Sequence, residues 1–154
     1  MIETSEEQKV IKMLGEHQVL LIHDYILQEI PGLSGLCRDK SLAATLHRID
    51  DHVFYDGINN LFEIAALYAI AIAQGHPFLD GNKRTALVSM VSFLSLNGIT
   101  VTAQNDEIED IMVNVAEKKI TQAELTSWLK QRYLVTELFK KGLKEMQEKI
   151  FNKS

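Results

Sequence analysis

Residues 61–74 read Leu-Phe-Glu-Ile-Ala-Ala-Leu-Tyr-Ala-Ile-Ala-Ile-Ala-Gln, between a capping asparagine, Asn60, and a stopping glycine, Gly75. Wound as a helix, the stretch carries Leu61, Phe62, Ile64, Ala65, Ala66, Leu67, Ala69, Ile70 and Ile72 around almost its whole circumference. A helix with no polar face belongs in the middle of a domain, with other elements packed around it. A membrane is the other home for such a helix. The longest uncharged apolar run, Ile64 to Ala73, falls well short of the ~18–20 residues a span needs. A second apolar helix follows a connector at residues 76–81 and ends at Asn97-Gly98, a good helix stop. The fold is therefore organised around a buried helical pair.

The other segments are helical as well. Thr4 and Glu7 form a capping box. Val10, Ile11, Leu14, Val19, Ile22, Tyr25, Ile26 and Ile30 then recur mostly at three- and four-residue steps, with Gly15 the weak point and Pro31-Gly32 the end. A short helix opened by Asp39 puts Leu42, Leu46 and Ile49 on one face. At residues 50–59 the periodicity lapses and turn formers cluster, which reads as a longer loop. Asn105 opens a helix with Ile108, Ile111, Met112 and Val115. Thr121 with Glu124 makes another capping box, and Leu125, Trp128, Leu129, Val135, Leu138, Phe139, Leu143, Met146 and Ile150 trace a stripe beyond it. Met112 and Trp128 read as core, and self-packing is the default for the stripe. Only residues 98–102 have extended character. The expected class is all-α, a compact helical bundle with two central buried helices.

Composition narrows the function. At 154 residues and 46% hydrophobic, the chain has the length of one domain and the material for a sizeable core. A single cysteine, Cys37, rules out an internal disulfide and points to a reducing cytoplasm. The acidic start, Met1 to Glu7, is the wrong chemistry for a secretory signal. Seven basic against three acidic residues give residues 128–154 a charge of +4, and the total of −5 leaves −9 for residues 1–127. An acidic body argues against binding duplex DNA by itself.

The chemistry is concentrated in the connector, Gln74-Gly75-His76-Pro77-Phe78-Leu79-Asp80-Gly81-Asn82-Lys83-Arg84-Thr85. Placing so many polar and ionic groups at the centre of the hydrophobic map is costly, so packing alone does not account for them. Gly81-Asn82-Lys83 stands where the second helix begins, and the free N–H groups there favour an anion. Lys83 and Arg84 add positive charge suited to phosphates. Asp80 is a hard oxygen ligand of the kind Mg²⁺ uses. His76 takes up a proton near neutral pH. Taken singly these are a turn histidine, a tight turn and two solvated cations; spaced together between two buried helices, they read as a site.

The run His76-Pro77-Phe78-Leu79-Asp80-Gly81-Asn82-Lys83-Arg84 closely resembles the signature of the Fic/Doc superfamily, and the resemblance extends over roughly residues 15–125. The Fic adenylyltransferases have a second glycine where this chain has Lys83 and an arginine where it has Leu87. Asn82-Lys83-Arg84-Thr85-Ala86-Leu87 is similar to the Doc (death-on-curing) branch, as is the segment Gly35 to Leu42, with Cys37 fitting loosely. The resemblance implies a toxin of a toxin–antitoxin pair, a kinase moving the γ-phosphate of ATP to a threonine of elongation factor Tu and so stopping translation. It implies His76 as the base, Asp80 as the Mg²⁺ ligand, Gly81, Asn82, Lys83 and Arg84 as the phosphate grip, Lys83 and Arg84 also serving catalysis, and Phe78 as the loop anchor. It also implies a catalytic domain over 1–126, with 127–154 as a helical extension packed on that domain. No Ser/Thr-x-x-x-Glu-Gly/Asn inhibitory pattern is present, so control by a separate antitoxin is expected.

Three rivals stand beside this reading. AMP transfer to a protein hydroxyl stays within the fold; Gly81 favours it, while Lys83 and Leu87 count against it. A metal-dependent hydrolase would draw on His23-Asp24, His47 or His52, and Asp80. A non-catalytic binding module would need a decayed pocket, yet His76, Asp80, Asn82 and Arg84 are intact. His47, Asp50, Asp51 and His52 otherwise read as solvated loop.

Overall fold

The Asn60 carboxamide accepts a hydrogen bond from the Glu63 N–H at 3.1 Å, and this cap starts the central helix where its apolar run begins. In the computed structural model, which describes residues 10–30, 32–38 and 40–152, six α-helices follow one another without a named strand among those residues. They are α1 (Glu16–Glu29), α2 (Leu42–Tyr55), α3 (Leu61–Gly75), α4 (Asn82–Leu96), α5 (Asn105–Ala116) and α6 (Gln122–Phe151). The all-α expectation is met. None of the described helices is long and apolar enough to cross a membrane.

Helix α3 is the axis. Ile64, Ala65, Ala66, Ala69, Ile72 and Ala73 are fully buried, and α2, α4, α5 and α6 all pack on it. Four small alanines let neighbouring backbones come close. Helix α4 supplies Ala86, Met90, Phe93 and Leu94 to the same core, and α1 packs on α4. The one polar group deep in α3 is satisfied: the Tyr68 hydroxyl accepts from the Leu14 N–H at 2.8 Å and donates to the Leu14 carbonyl at 2.9 Å. That clasp holds the segment before α1 against the core, and burial pushes the phenol pKa above its ordinary value.

Several local expectations change. Helix α1 begins only after Gly15, its N-cap; residues 10–14 lie outside any helix. The Thr4–Glu7 box, the Pro31 stop and the Asp39 start lie outside the described residues. Ser41 caps α2, accepting from the Ala44 N–H at 3.1 Å. That helix continues to Tyr55, so most of the loop expected at 50–59 is helical. It is also largely exposed, and an exposed helix need not show apolar periodicity.

The Thr121–Glu124 capping box is present. Helix α6 then runs 30 residues, about 45 Å at 1.5 Å per residue. Leu125, Leu129 and Thr136 are buried, but every residue from Glu137 to Asn152 is exposed. The packing expected for the whole 127–154 extension stops at Thr136, because the distal half of α6 runs past the end of the body.

Candidate active site

Chain direction reverses between α3 and α4 at a histidine. His76 caps the C-terminus of α3 with φ 48 and ψ 54, its N–H donating to Ile72 at 3.2 Å. The left-handed region costs a non-glycine residue about 1–2 kcal/mol, so the surroundings must hold it there. They do so through Phe78, which is 1% exposed and carries the connector into the core. Along one edge, residues 35–37 pair with the connector: Cys37 N–H donates to Pro77 at 2.9 Å and Leu79 N–H to Gly35 at 3.0 Å. Along the other, the Asn82 side chain accepts from the Phe78 N–H at 3.1 Å and donates to the Phe78 carbonyl at 2.9 Å.

Beneath the connector lies His23 of α1, buried and stacked on Phe78 with ring centroids 3.7 Å apart and an 8° angle between planes. Its Nε2 is 2.8 Å from the Asp80 carbonyl oxygen. The Asp80 carboxylate accepts from the Gly81 N–H through Oδ1 at 3.0 Å and from the Leu33 N–H through Oδ2 at 3.3 Å. Gly32 makes this approach feasible. A Cβ there would lie 2.6 Å from Asp80 Oδ2.

Gly81 is the N-cap of α4 at φ 77, a left-handed conformation that glycine adopts without penalty. No side chain caps this helix, so its first-turn N–H groups remain available to a ligand. Lys83 and Arg84 are exposed in that turn. Their charge opposes the helix dipole, and an anion bound there would offset both.

These parts open on a cleft of about 820 Å³ lined by His76, Leu79, Asp80, Gly81, Asn82, Lys83, Arg84 and Leu87 on one side. Helix α5 forms the opposite wall with Ile108, Glu109, Met112, Val113 and Ala116, joined by its C-cap residue Glu117. The wall is apolar with acidic residues at positions 109 and 117. The Glu117 carboxyl is held below its usual range, first by its hydrogen bond to Lys119 (2.7 Å) and the charge of that lysine, and to a smaller extent by Lys83.

The expected residues thus converge, with one change in how they sit. His76, Asp80, Lys83 and Arg84 are exposed to the cleft rather than buried, and only Pro77 and Phe78 go inside. The ionic groups therefore stay hydrated, and the burial cost anticipated for the connector does not arise. The Asn82 amide is occupied at both ends by Phe78, so what this residue leaves for a ligand is its backbone N–H. Met112 is core and cleft wall at once.

Sequence reading weighed His23 only as a ligand of the hydrolase alternative and Gly32 only as part of a helix stop, and it passed over Glu109 and Glu117. The available signal was the Ile108–Met112–Val115 face, whose edge is the wall. His47, Asp50, Asp51 and His52 lie on α2 rather than in a loop, with His47–Asp51 at 3.7 Å and His52–Asp56 at 2.7 Å. Among the described residues no three His, Cys, Asp or Glu side chains converge as a metal group. The hydrolase reading is left without its cluster, since the His23 ring nitrogen is engaged by a backbone carbonyl.

The sequence pattern of the Fic/DOC family matches residues 13–94, more than half of the chain. This chain belongs to the Fic/DOC family. The Fic/DOC match contains α1 to α3, the whole connector and nearly all of α4; the α5 wall and α6 lie beyond it. Among curated relatives, the chain is similar to "Protein kinase doc" of Escherichia phage P1, 32% identical over 123 residues, which span 80% of this chain and 97% of that protein. It is also similar to "Toxin Doc" of Mycolicibacterium smegmatis, 38% identical over 63 residues, or 40% of this chain and 48% of that one.

Proposed function

We propose that this Fic/DOC chain is a toxin-type protein kinase. It transfers the γ-phosphate of ATP to a Ser or Thr hydroxyl of a protein, with elongation factor Tu as the target, translation as the process stopped and a separate antitoxin as the control. The observation that carries the reading is the single cleft in which His76, Asp80 and the uncapped start of α4 meet. The kinase relative that is covered almost end to end supports the class of reaction.

The site fits a magnesium nucleotide on its own chemistry. Each Asp80 oxygen accepts one backbone N–H and keeps a lone pair for a cation. The open N-terminus of α4, with Lys83 and Arg84, is built for phosphate. The apolar face of Leu87, Ile108, Met112 and Val113 offers a nucleoside a dry wall. When bound, Mg²⁺ and ATP supply the phosphoryl group and the neutralising charge.

The residues of the chain do the rest. The His76 imidazole receives the proton of the substrate hydroxyl at a ring nitrogen, as a general base. Lys83, Arg84 and the first-turn N–H groups hold the phosphate oxygens and stabilise charge as it develops. The Phe78 anchor keeps these groups at fixed separations, which is where most catalysis of phosphoryl transfer lies.

The test is intact-mass spectrometry of elongation factor Tu after incubation with the protein, ATP and Mg²⁺, with His76→Ala as control. A gain of one phosphate that the control lacks is the expected result. A gain of one AMP would place the chain with the adenylyltransferases. An unmodified target would overturn elongation factor Tu as the substrate.

A further inference from the structure

His23 is buried at 2% exposure under the connector, and the proposed chemistry gives it no part. Its Nε2 lies 2.8 Å from the Asp80 carbonyl oxygen. A carbonyl only accepts, so Nε2 carries the proton. That oxygen shares one planar trans peptide unit with the Gly81 N–H, and the two point to opposite sides. Drawing the oxygen inwards therefore turns the Gly81 N–H outwards, where it donates to Asp80 Oδ1 at 3.0 Å.

Among the described residues no backbone-to-backbone hydrogen bond fixes this plane. Gly81, at φ 77, belongs to the residue type that tolerates rotation of the adjoining peptide. The imidazole also fills the space below it: a Cβ at position 81 would sit 3.6 Å from His23 Cδ2 and 3.7 Å from Nε2. The parallel stack on Phe78 sets the angle of the ring and hence the direction of the Nε2–H.

We propose that His23 is a positioning residue. Its Nε2–H locks the Asp80–Gly81 peptide in one orientation, so that the Asp80 carboxylate and the start of α4 face the cleft in a single arrangement. The consequence for catalysis rests on the kinase reading; the lock itself does not.

Nitrogen-15 NMR of the unmodified protein tests the lock directly. The His23 ring is expected as the Nε2–H tautomer, and the Nδ1–H tautomer would overturn the proposal. Two variants then separate hydrogen bond from packing. His23→Phe keeps a flat ring and removes the donor; His23→Gln keeps a side-chain N–H and removes the ring. For His23→Phe the Gly81 amide is expected to exchange at least ~10-fold faster, and kcat for phosphate transfer to fall by about as much with KM for the protein substrate unchanged. His23→Gln is expected to stay within about threefold in both.

Equal losses in the two variants, tracking their thermal stability, would make His23 a packing residue only and sink the proposal. Should neither variant fold, the tautomer decides. If the unmodified protein transfers no phosphate while tautomer and exchange behave as expected, the kinase reading fails and the lock stands.

Discussion

Asn82 grips Phe78 at both ends of one residue, accepting from its N–H at 3.1 Å and donating to its carbonyl at 2.9 Å. A carboxamide is the side chain that offers both an acceptor and a donor in one plane, which is what a single extended residue presents along its edge. The first residue of α4 thereby fastens the connector that leads into it.

Asn82→Ala removes both bonds. Net contributions of ~0.5–1.5 kcal/mol each predict a loss of about 1–3 kcal/mol, measured by urea denaturation. Asn82→Asp keeps the acceptor but sets a second oxygen against the Phe78 carbonyl, so it recovers nothing of the donor half.

His76 combines a left-handed backbone with the proposed role of base. His76→Gly relieves the left-handed strain but loosens the unfolded chain, for a net gain of roughly 0.5–1 kcal/mol in stability. His76→Ala keeps the strain and gains nothing. If His76 is the base as proposed, both variants lose about 10²–10⁴-fold in transfer rate. Thermal unfolding and a phosphorylation assay on the same samples check the pair, and a glycine variant no more stable than the alanine one would contradict the strain argument.

Glu117 has its pKa lowered from an ordinary value of 4.5, chiefly by Lys119 and only slightly by Lys83. A carboxylate with a depressed folded pKa adds stability above its unfolded pKa, and that contribution is lost as pH falls through the folded one. The Glu117–Lys119 contact is therefore intact at neutral pH and fails on the acid side. NMR titration of the Glu117 side chain is expected to show its midpoint rising towards 4.5 in Lys119→Ala, with a smaller rise in Lys83→Ala.

Every residue of α6 from Glu137 to Asn152 is exposed, including Leu138, Phe139, Met146 and Ile150 at 53–71%. A chain ending after Glu137 is expected to unfold at the same denaturant midpoint, within about 0.5 kcal/mol. A larger drop would show that the distal half contributes to the body after all.

The central helices, their caps and the connector were legible in the order of residues alone. Apolar crowding in α3 leaves one location for that helix, and signals such as Asn60, Thr121–Glu124 and Gly81 act within a few residues of themselves. The candidate chemistry was legible for the same reason, since His76 to Arg84 are contiguous. The tertiary structure decided what depends on distant partners. It placed His23 under Asp80 across 57 positions, brought Gly32 against the Asp80 carboxylate, and set α5 as the far wall of the cleft. It also extended α2 through a stretch with no apolar period and left the distal half of α6 exposed. Local capping and periodicity are properties of a segment; contacts such as these exist only once the chain has closed on itself.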